Sequence, residues 1–426
     1  MKSLSGLLLA LLLCAQEAAA FQFGVCVHLA MARSDAATVL RLVEQGGFNS
    51  IRDDAYWSGV ERSEGVLEYP ARYAESKRAM QVLAQQGQSP IVILAYGNKF
   101  HDGGGFPVTP AGIAAYSRYA GFVTKTLRGS VRQFEVWNEW NSGFGSKPAA
   151  KSGSAADYVR VLAPAAAAIR AANPDAQVIA GATAGVDLKW LREFIAAGGL
   201  AHADAISVHS YTLFRYRVNP EGAILSLDRL HAMLKAAEPT RTIPIYVTEM
   251  GWPTNQGRHG VSEREAANYL VRFMLLARSR PWIAGVWWYD LIDDGPSNAD
   301  AQHRFGLVRT NLTPKPAFLA ARTVARLVTS GKDVEAFRVG AHDYLATGSD
   351  DSGAWAMAWT LETNFRGWQE GAPTLPEAPP DLRRLTAQLP PGGDPVLFRK
   401  SQGTWHVDDA WRRDINARGA GAEVTP

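Results

Sequence analysis

The feature that most constrains the fold is an alternation of short β-branched segments with amphipathic helical segments, each pair occupying a few tens of residues. This alternation is typical of repeated βα units. Eight segments are predicted to be strands, which is the number that closes a parallel barrel. They are residues 22–27, 50–52, 90–96, 133–137, 177–180, 205–208, 245–248 and 285–289.

The main alternative is a doubly wound open sheet, which would normally carry a glycine-rich phosphate turn after its first strand. The first predicted strand is instead followed by His28, Leu29 and Ala30. Helix punctuation is clear elsewhere, since Ser262 and Glu265 form a predicted capping box. We therefore predict an α/β fold, a (β/α)8 TIM barrel over residues 21–330.

The pattern changes after about residue 330. Residues 335–339, 343–347 and 354–360 alternate like strands, and residues 349–353 have the composition of a turn. Proline clusters follow, and residues 419–426 have the composition of a loose tail. Residues 331–426 are predicted to form a small β-rich C-terminal domain.

The N-terminus is predicted to be a signal peptide over residues 1–20, with Lys2, an apolar run and a small-residue cleavage site before Phe21. The run is too short for a mature transmembrane span. Lipid attachment at Cys14 is the weaker alternative, because a large leucine precedes that cysteine. The expected location is periplasmic or extracellular. Cys26 is then the single remaining cysteine, which excludes an internal disulfide.

Charge gives no case for binding to nucleic acid or to an anionic membrane, because 44 Lys and Arg balance 41 Asp and Glu without a basic run. The oligomeric state cannot be predicted from the sequence. The 13 tryptophans are unusual, and tryptophan faces stack on sugar rings, although most of them are expected in the core.

Two glutamates, Glu139 and Glu249, each follow an apolar β-branched run and are flanked by aromatic residues. In a barrel, the ends of the strands form the active site. Two carboxylates that face one cavity can divide proton donation and nucleophilic attack between them, as cleavage of a glycosidic bond requires. These residues predict a glycoside hydrolase.

The motifs around these glutamates resemble the retaining glycoside hydrolases of clan A, most closely family 39 and its bacterial relatives that act on secreted polysaccharides, with family 5 next. The resemblance covers about residues 22–330. It departs from the common pattern at Trp140, where clan members often have proline. It rests on Asn138-Glu139 after strand four, Thr248-Glu249-x-Gly251-Trp252 after strand seven, Arg52 after strand two, His209-Ser210-Tyr211 after strand six and Trp287-Trp288 on strand eight.

The resemblance implies that Glu139 is the general acid/base, that Glu249 is the nucleophile and that no cofactor takes part. It implies that Asn138 holds the sugar 2-hydroxyl. The carbohydrate substrate is expected to be a polysaccharide or oligosaccharide, in particular a bacterial exopolysaccharide. The other expected substrate-binding residues are Arg52, Asn98, His209, Tyr211, Trp252 and Trp288.

The proposed division of roles makes physical demands on the two sites. A general acid must be protonated at the working pH, whereas free glutamate has a pKa of about 4.3, so Glu139 needs an apolar wall such as Trp137 or Trp140. The nucleophile must stay ionised, and Arg52 and Tyr211 are the expected donors to Glu249.

Several assignments have alternatives. Arg52 could pair with the adjacent Asp53 or Asp54, and Glu135 is expected in a buried ion pair inside the barrel. Either Trp287 or Trp288 could face the site, because strand ends are uncertain by a residue or two. His101 could contact substrate or be an ordinary loop histidine.

Two other functions remain possible. A metal-dependent hydrolase would need converging His and Asp ligands, but His28 and His209 occur singly along the chain. A non-catalytic carbohydrate-binding barrel would have no reason to keep both glutamates. The sequence does not indicate which sugar is bound or whether cleavage is internal or terminal, although loops 103–106 and 290–294 are candidate groove walls.

Overall fold

The computed structural model describes residues 21–146, 152–211, 219–361, 373–390, 394–408 and 410–411. The predicted signal peptide and the predicted tail over residues 419–426 lie outside these described residues. Within them, no helix combines the length and apolar character that a membrane span requires.

Eight parallel strands close into a barrel in chain order, which confirms the predicted TIM barrel and rules out the open sheet. β2, β5, β6 and β7 extend further than predicted: the buried polar residues Asp53 and Asp54 continue β2, and the mostly small residues 181–184 continue β5. The strands are β1 (Gln22–Cys26), β2 (Ser50–Tyr56), β3 (Ile91–Ala95), β4 (Gln133–Val136), β5 (Gln177–Ala184), β6 (Ala205–His209), β7 (Ile245–Met250) and β8 (Ile283–Trp288).

Helices occupy the connections between the strands. The capping box at Ser262 is confirmed: its side chain accepts from the amide of Glu265, and the Glu265 carboxylate accepts from the amide of Ser262. The helices are α1 (Ala36–Gly46), α2 (Trp57–Val60), α3 (Ala74–Gln85), α4 (Pro110–Thr126), α5 (Ala155–Ala172), α6 (Leu188–Ala196), α7 (Pro220–Ala237), α8 (Glu263–Arg278), α9 (Pro316–Thr329) and α10 (Pro380–Arg383).

The main core lies between the barrel and the surrounding helices, and a smaller cluster fills the barrel interior. Trp287 belongs to this interior cluster and donates from Nε1 to the hydroxyl of Ser50. The side chains of Gln22, Gln133 and Tyr246 form a hydrogen-bonded network at the N-terminal end of the strands. The lower half of the barrel is thus packed, and the polar site residues lie above it.

The C-terminal region forms a five-stranded antiparallel sheet in the order β13-β12-β11-β10-β9, as the predicted small β domain required. Three of its strands were predicted, and the two that follow the proline clusters were missed. The strands are β9 (Lys332–Val339), β10 (Asp343–Asp350), β11 (Gly353–Thr360), β12 (Val396–Ser401) and β13 (Thr404–Val407).

A buried polar contact joins this sheet to the barrel. Glu221 of α7 is fully buried and forms a bidentate pair with Arg272 of α8, with N to O distances of 2.9 and 2.6 Å. Trp359 of β11 donates from its indole nitrogen to the same carboxylate at 2.9 Å. The sheet therefore supplies a further hydrogen bond to the buried carboxylate of Glu221, which already pairs with Arg272 between two barrel helices.

Candidate active site

Arg52 is the centre of a buried polar network inside the barrel. It lies within β2 rather than after it, which corrects the predicted strand end. Its Nε donates to Glu135 at 2.8 Å, its Nη1 to Glu249 at 2.7 Å and its Nη2 to Asn138 at 2.7 Å. Arg52 thus connects side chains from β4, from the turn after β4 and from β7.

These contacts show which carboxylates pair with Arg52 and whether Glu135 forms a buried ion pair. Glu135 forms the buried ion pair that was predicted, with Nη2 of Arg52 at 2.6 Å from its carboxylate. Arg52 makes its ion pairs with Glu135 and Glu249, not with the adjacent aspartates. Asp53 instead accepts from the amide of Ala30, and Asp54 accepts from the hydroxyl of Tyr56.

Glu139 lies three residues beyond the end of β4, and not at the strand end as predicted. Trp137 and Glu139 both have positive φ, 65° and 53°. This conformation costs a non-glycine residue roughly 1–3 kcal/mol. The amide of Glu139 donates to the carbonyl of Ala182 at 2.8 Å. The chain therefore makes a tight turn that brings Asn138 and Glu139 to the barrel mouth.

His209, at the end of β6, lies between the two candidate catalytic carboxylates. Its Nδ1 is 2.8 Å from Glu139 and 3.6 Å from Glu249, and its Nε2 is 3.4 Å from Nη2 of Arg52. The side chain is fully buried. Burial disfavours its charged form, but the charge of Glu249 and the hydrogen bond with Glu139 prevail and raise the pKa of His209.

Glu249, in β7, is held in its ionised form. Burial opposes ionisation, but the positive charges of His209 and Arg52 outweigh it and lower the pKa of Glu249. The hydroxyl of Tyr211 donates to the second carboxylate oxygen at 3.1 Å. Both predicted donors, Arg52 and Tyr211, therefore reach this residue.

The two glutamates face each other across one cavity. A carboxylate oxygen of Glu139, a carboxylate oxygen of Glu249 and a ring nitrogen of His209 all lie within 4.8 Å of one another. The side chains of Glu139 and Glu249 are 20% and 12% exposed, so both reach the cavity. A sugar bound there would meet both carboxylates.

A tryptophan was expected to lie beside the carboxylate of Glu139. In the structure, His209 is the residue that contacts this carboxylate. Trp137 and Trp140 are buried in an aromatic cluster with Phe106, and their indole nitrogens donate to backbone carbonyls. Neither tryptophan lines the cavity.

Four predicted substrate-binding residues do not line this cavity. One of them, His209, is fully buried and contacts Glu139 instead. Trp252 and Trp288 are each 2% exposed, and their rings pack against each other in the core outside the barrel strands. Asn98 is 1% exposed, and its amide bonds to the carbonyl of Glu61 and the amide of Phe100. Neither Trp287 nor Trp288 lines the cavity, because Trp287 packs in the barrel interior and Trp288 packs in the main core outside the strands.

Several cavity residues were not predicted, among them aromatic and polar side chains at strand ends. Tyr289 directly follows the last residue of β8 and was included in the predicted strand, but it was not assigned to the site. Phe144 and Met31 are 53% and 44% exposed, which is unusual for large apolar side chains. The unpredicted residues are His28, Met31, Asp54, Tyr56, Tyr96, Phe144, Tyr289, Gln302 and Phe305.

His28 also belongs to a second polar cluster beside the cavity. Its Nε2 lies 3.4 Å from Asp290 and 3.6 Å from Asp294, yet neither of its ring nitrogens makes a hydrogen bond. Burial works against its charge, but Asp290 and Asp294 raise the pKa of His28 to about 9. Burial raises the pKa of Asp290 to about 6. His28 and His209 are single along the chain but each meets two carboxylates in space.

A family model described as a glycosyl hydrolase catalytic core matches residues 123–314. This range contains both glutamates, His209 and Tyr211. No curated protein sequence matches the chain.

Solved structures of clan A enzymes share the fold. A family 39 glycoside hydrolase from Bacteroides cellulosilyticus WH2 is 24% identical, with a TM-score of 0.68 over 80% of this chain and 70% of that one. A monomeric β-xylosidase from Caulobacter crescentus CB15 is 18% identical, with a TM-score of 0.59 over 83% and 75% of the two chains. A family 5 subfamily 18 enzyme from Streptomyces cattleya, in complex with GlcNAc, is 17% identical, with a TM-score of 0.60 over 73% and 80%. The family model bears out the prediction of a glycosidase over residues 123–314, and the solved structures, which include enzymes of families 39 and 5, confirm the predicted fold.

Proposed function

We propose that this glycoside hydrolase cleaves a polysaccharide or oligosaccharide with retention of anomeric configuration, with Glu249 as nucleophile and Glu139 as general acid/base. The observation that carries the proposal is the short separation of the two carboxylates, one oxygen of each lying within 4.8 Å of the other. Retaining enzymes have carboxyl groups about 5–5.5 Å apart, whereas inverting enzymes need about 6.5–9.5 Å to admit a water molecule.

The reaction proceeds in two displacements. Glu139 gives its proton to the leaving oxygen while Glu249 attacks the anomeric carbon, and the glycosidic bond breaks as the glycosyl ester forms. Glu139 then takes a proton from water, whose oxygen attacks the same carbon and releases Glu249. The hydrogen bond from His209 occupies one oxygen of Glu139 and leaves the other oxygen to carry the transferred proton.

The other cavity residues bind the sugar. Asn138 is fixed by Arg52, so its remaining amide hydrogens are available to the 2-hydroxyl. His28 and Asp54 line the cavity and have buried atoms that make no hydrogen bond, which sugar hydroxyls would satisfy. A bacterial exopolysaccharide is the proposed substrate, and the proposed location is outside the cytoplasm.

The stereochemical outcome tests the proposal. We expect nuclear magnetic resonance of the first-formed product to show the same anomer as the substrate, because the gap between the carboxylates leaves no room for direct attack by water. The substrate comes from a turnover assay on a panel of exopolysaccharides and aryl glycosides. An inverted first product would contradict the assignment of Glu249, and complete lack of turnover would favour the carbohydrate-binding barrel.

A metal-dependent hydrolysis is the second candidate, because Glu139, His209 and Glu249 could together offer three ligand atoms to one ion. Against it, Arg52 and Tyr211 already donate to both oxygens of Glu249. We therefore expect full activity after exhaustive dialysis against a chelator. A loss that a divalent ion reverses would contradict the two-carboxylate mechanism.

A further inference from the structure

A second cavity adjoins the catalytic cavity. The two cavities share Tyr56, at the end of β2, and Tyr96, directly after β3. The ring centroids of these half-buried tyrosines are 5.9 Å apart. The pair therefore forms a common border, and a ligand that extends past it passes from one cavity into the other.

The loops around the second cavity are held in place by buried contacts. Glu61 is 2% exposed and accepts from the indole of Trp57 at 2.6 Å and the amide of Gly65 at 2.7 Å. His101 lies 3.0 Å from the same carboxylate and stacks on Trp57, with ring centroids 4.9 Å apart. His101 therefore supports this loop, which answers the question that the sequence left open.

The glycine-rich loop packs closely against the end of β3. A β-carbon on Gly97 would lie 2.1 Å from the carbonyl oxygen of Gly104, so only glycine permits this approach. Asn98 fixes the same segment through its bond to the carbonyl of Glu61 at 2.8 Å. Gly103 and Gly104 consequently form a wall of the second cavity, as was considered for loop 103–106.

We propose that the second cavity is a binding site for a further sugar unit of the same substrate chain. It combines the two tyrosine faces with the exposed polar side chains of Ser58, Arg62 and Lys99, a mixture of aromatic surface and few polar groups that suits a sugar ring. The inference rests on the proposed function and adds to it a preference for oligomers and polymers over single-unit glycosides.

The consequence for catalysis is a dependence on chain length. Binding energy from a sugar unit remote from the reacting bond can be used to orient the unit in the catalytic cavity, so shortened substrates lose kcat as well as affinity. Because the loops are already fixed, little of that energy is spent on ordering them.

The test uses size-fractionated oligosaccharides, prepared by partial acid hydrolysis of the polysaccharide that gives turnover in the panel. We expect kcat/KM to rise about tenfold or more when the oligosaccharide becomes long enough to enter the second cavity, and then to level off. Equal kcat/KM for the shortest and the longer cleaved substrates would overturn this inference while leaving the proposed function intact. Absence of turnover on every substrate would overturn the proposed function and this inference with it.

A blocking variant separates the second cavity from other causes of length dependence. Ser58→Trp places a large side chain in the cavity from an exposed position, and we expect it to reduce the long-to-short ratio of kcat/KM about tenfold. Glu64→Trp is the matched control, since Glu64 is exposed nearby but lines neither cavity. An unchanged ratio in the folded Ser58→Trp protein, or an equal fall in the control, would contradict the assignment.

Discussion

Replacing Glu249 by glycine is expected to lower kcat on an activated glycoside by about 10⁴-fold or more, because the group that attacks the anomeric carbon is lost. The shortened side chain leaves space beside that carbon. Added azide or formate should then restore turnover and give a glycosyl product of inverted configuration. Product configuration and rate are both measured on the same activated substrate.

The matched control is Glu139→Ala, which removes the acid/base and keeps the nucleophile. Its loss on an activated substrate should be smaller, since such a leaving group needs little protonation, and general acid–base catalysis typically contributes about 10²–10⁴-fold. Azide should rescue it with retained configuration, because the glycosyl ester on Glu249 still forms. If azide gave the same anomer with both variants, the two glutamates would not have the roles assigned to them.

Replacing Arg52 by methionine is expected to have the largest effect on stability. Arg52 is 3% exposed and compensates two buried carboxylates, Glu135 and Glu249. Removing one partner of a buried ion pair typically costs about 3–5 kcal/mol, because it leaves an uncompensated charge. We expect this decrease in the free energy of unfolding in denaturant titrations, together with loss of activity.

A double variant separates the two functions of Arg52. In Arg52→Met with Glu135→Gln the buried charge of Glu135 is gone, so a large part of the stability should return. Activity should not return, since Glu249 still lacks its main donor. The single variant Glu135→Gln measures the effect of the second substitution alone. Recovery of activity in the double variant would mean that Arg52 serves only to compensate Glu135.

The barrel could be predicted from the sequence because buried parallel strands are runs of apolar residues. The run Ile91-Val92-Ile93-Leu94 is an example, and β3 was placed within one residue at each end. β2 was cut short after Arg52 because Asp53 and Asp54 look like loop residues. They are buried in the strand and each has a specific partner, which single-residue propensity does not reveal.

The centre of the site could be predicted because each of its residues lies near a strand end of a closed barrel. Arg52, Asn138, Glu139, His209, Tyr211 and Glu249 come together in the structure. The contact of His209 with Glu139 could not be predicted, because it depends on the turn with positive φ that follows β4.

The tryptophans were the weakest part of the prediction. Trp252 and Trp288 were assigned to the substrate through the family resemblance, but both pack in the core. The predicted eighth strand included Tyr289, yet only the two tryptophans before it were considered for the site. The second cavity could not be predicted either, since its wall depends on the close approach of Gly97 to Gly104.

The indole of Trp359 on the carboxylate of Glu221 bears on how the chain can be divided. A protein cut after α9 would leave that acceptor with one donor fewer and would remove Tyr344 and Trp359, whose stacked rings belong to the main core. The sheet therefore covers two barrel helices and cannot be removed without exposing them. Anyone who seeks a minimal catalytic unit, or who wishes to graft the barrel onto another partner, must carry the sheet along or replace Glu221 and Arg272 with apolar residues that fit together.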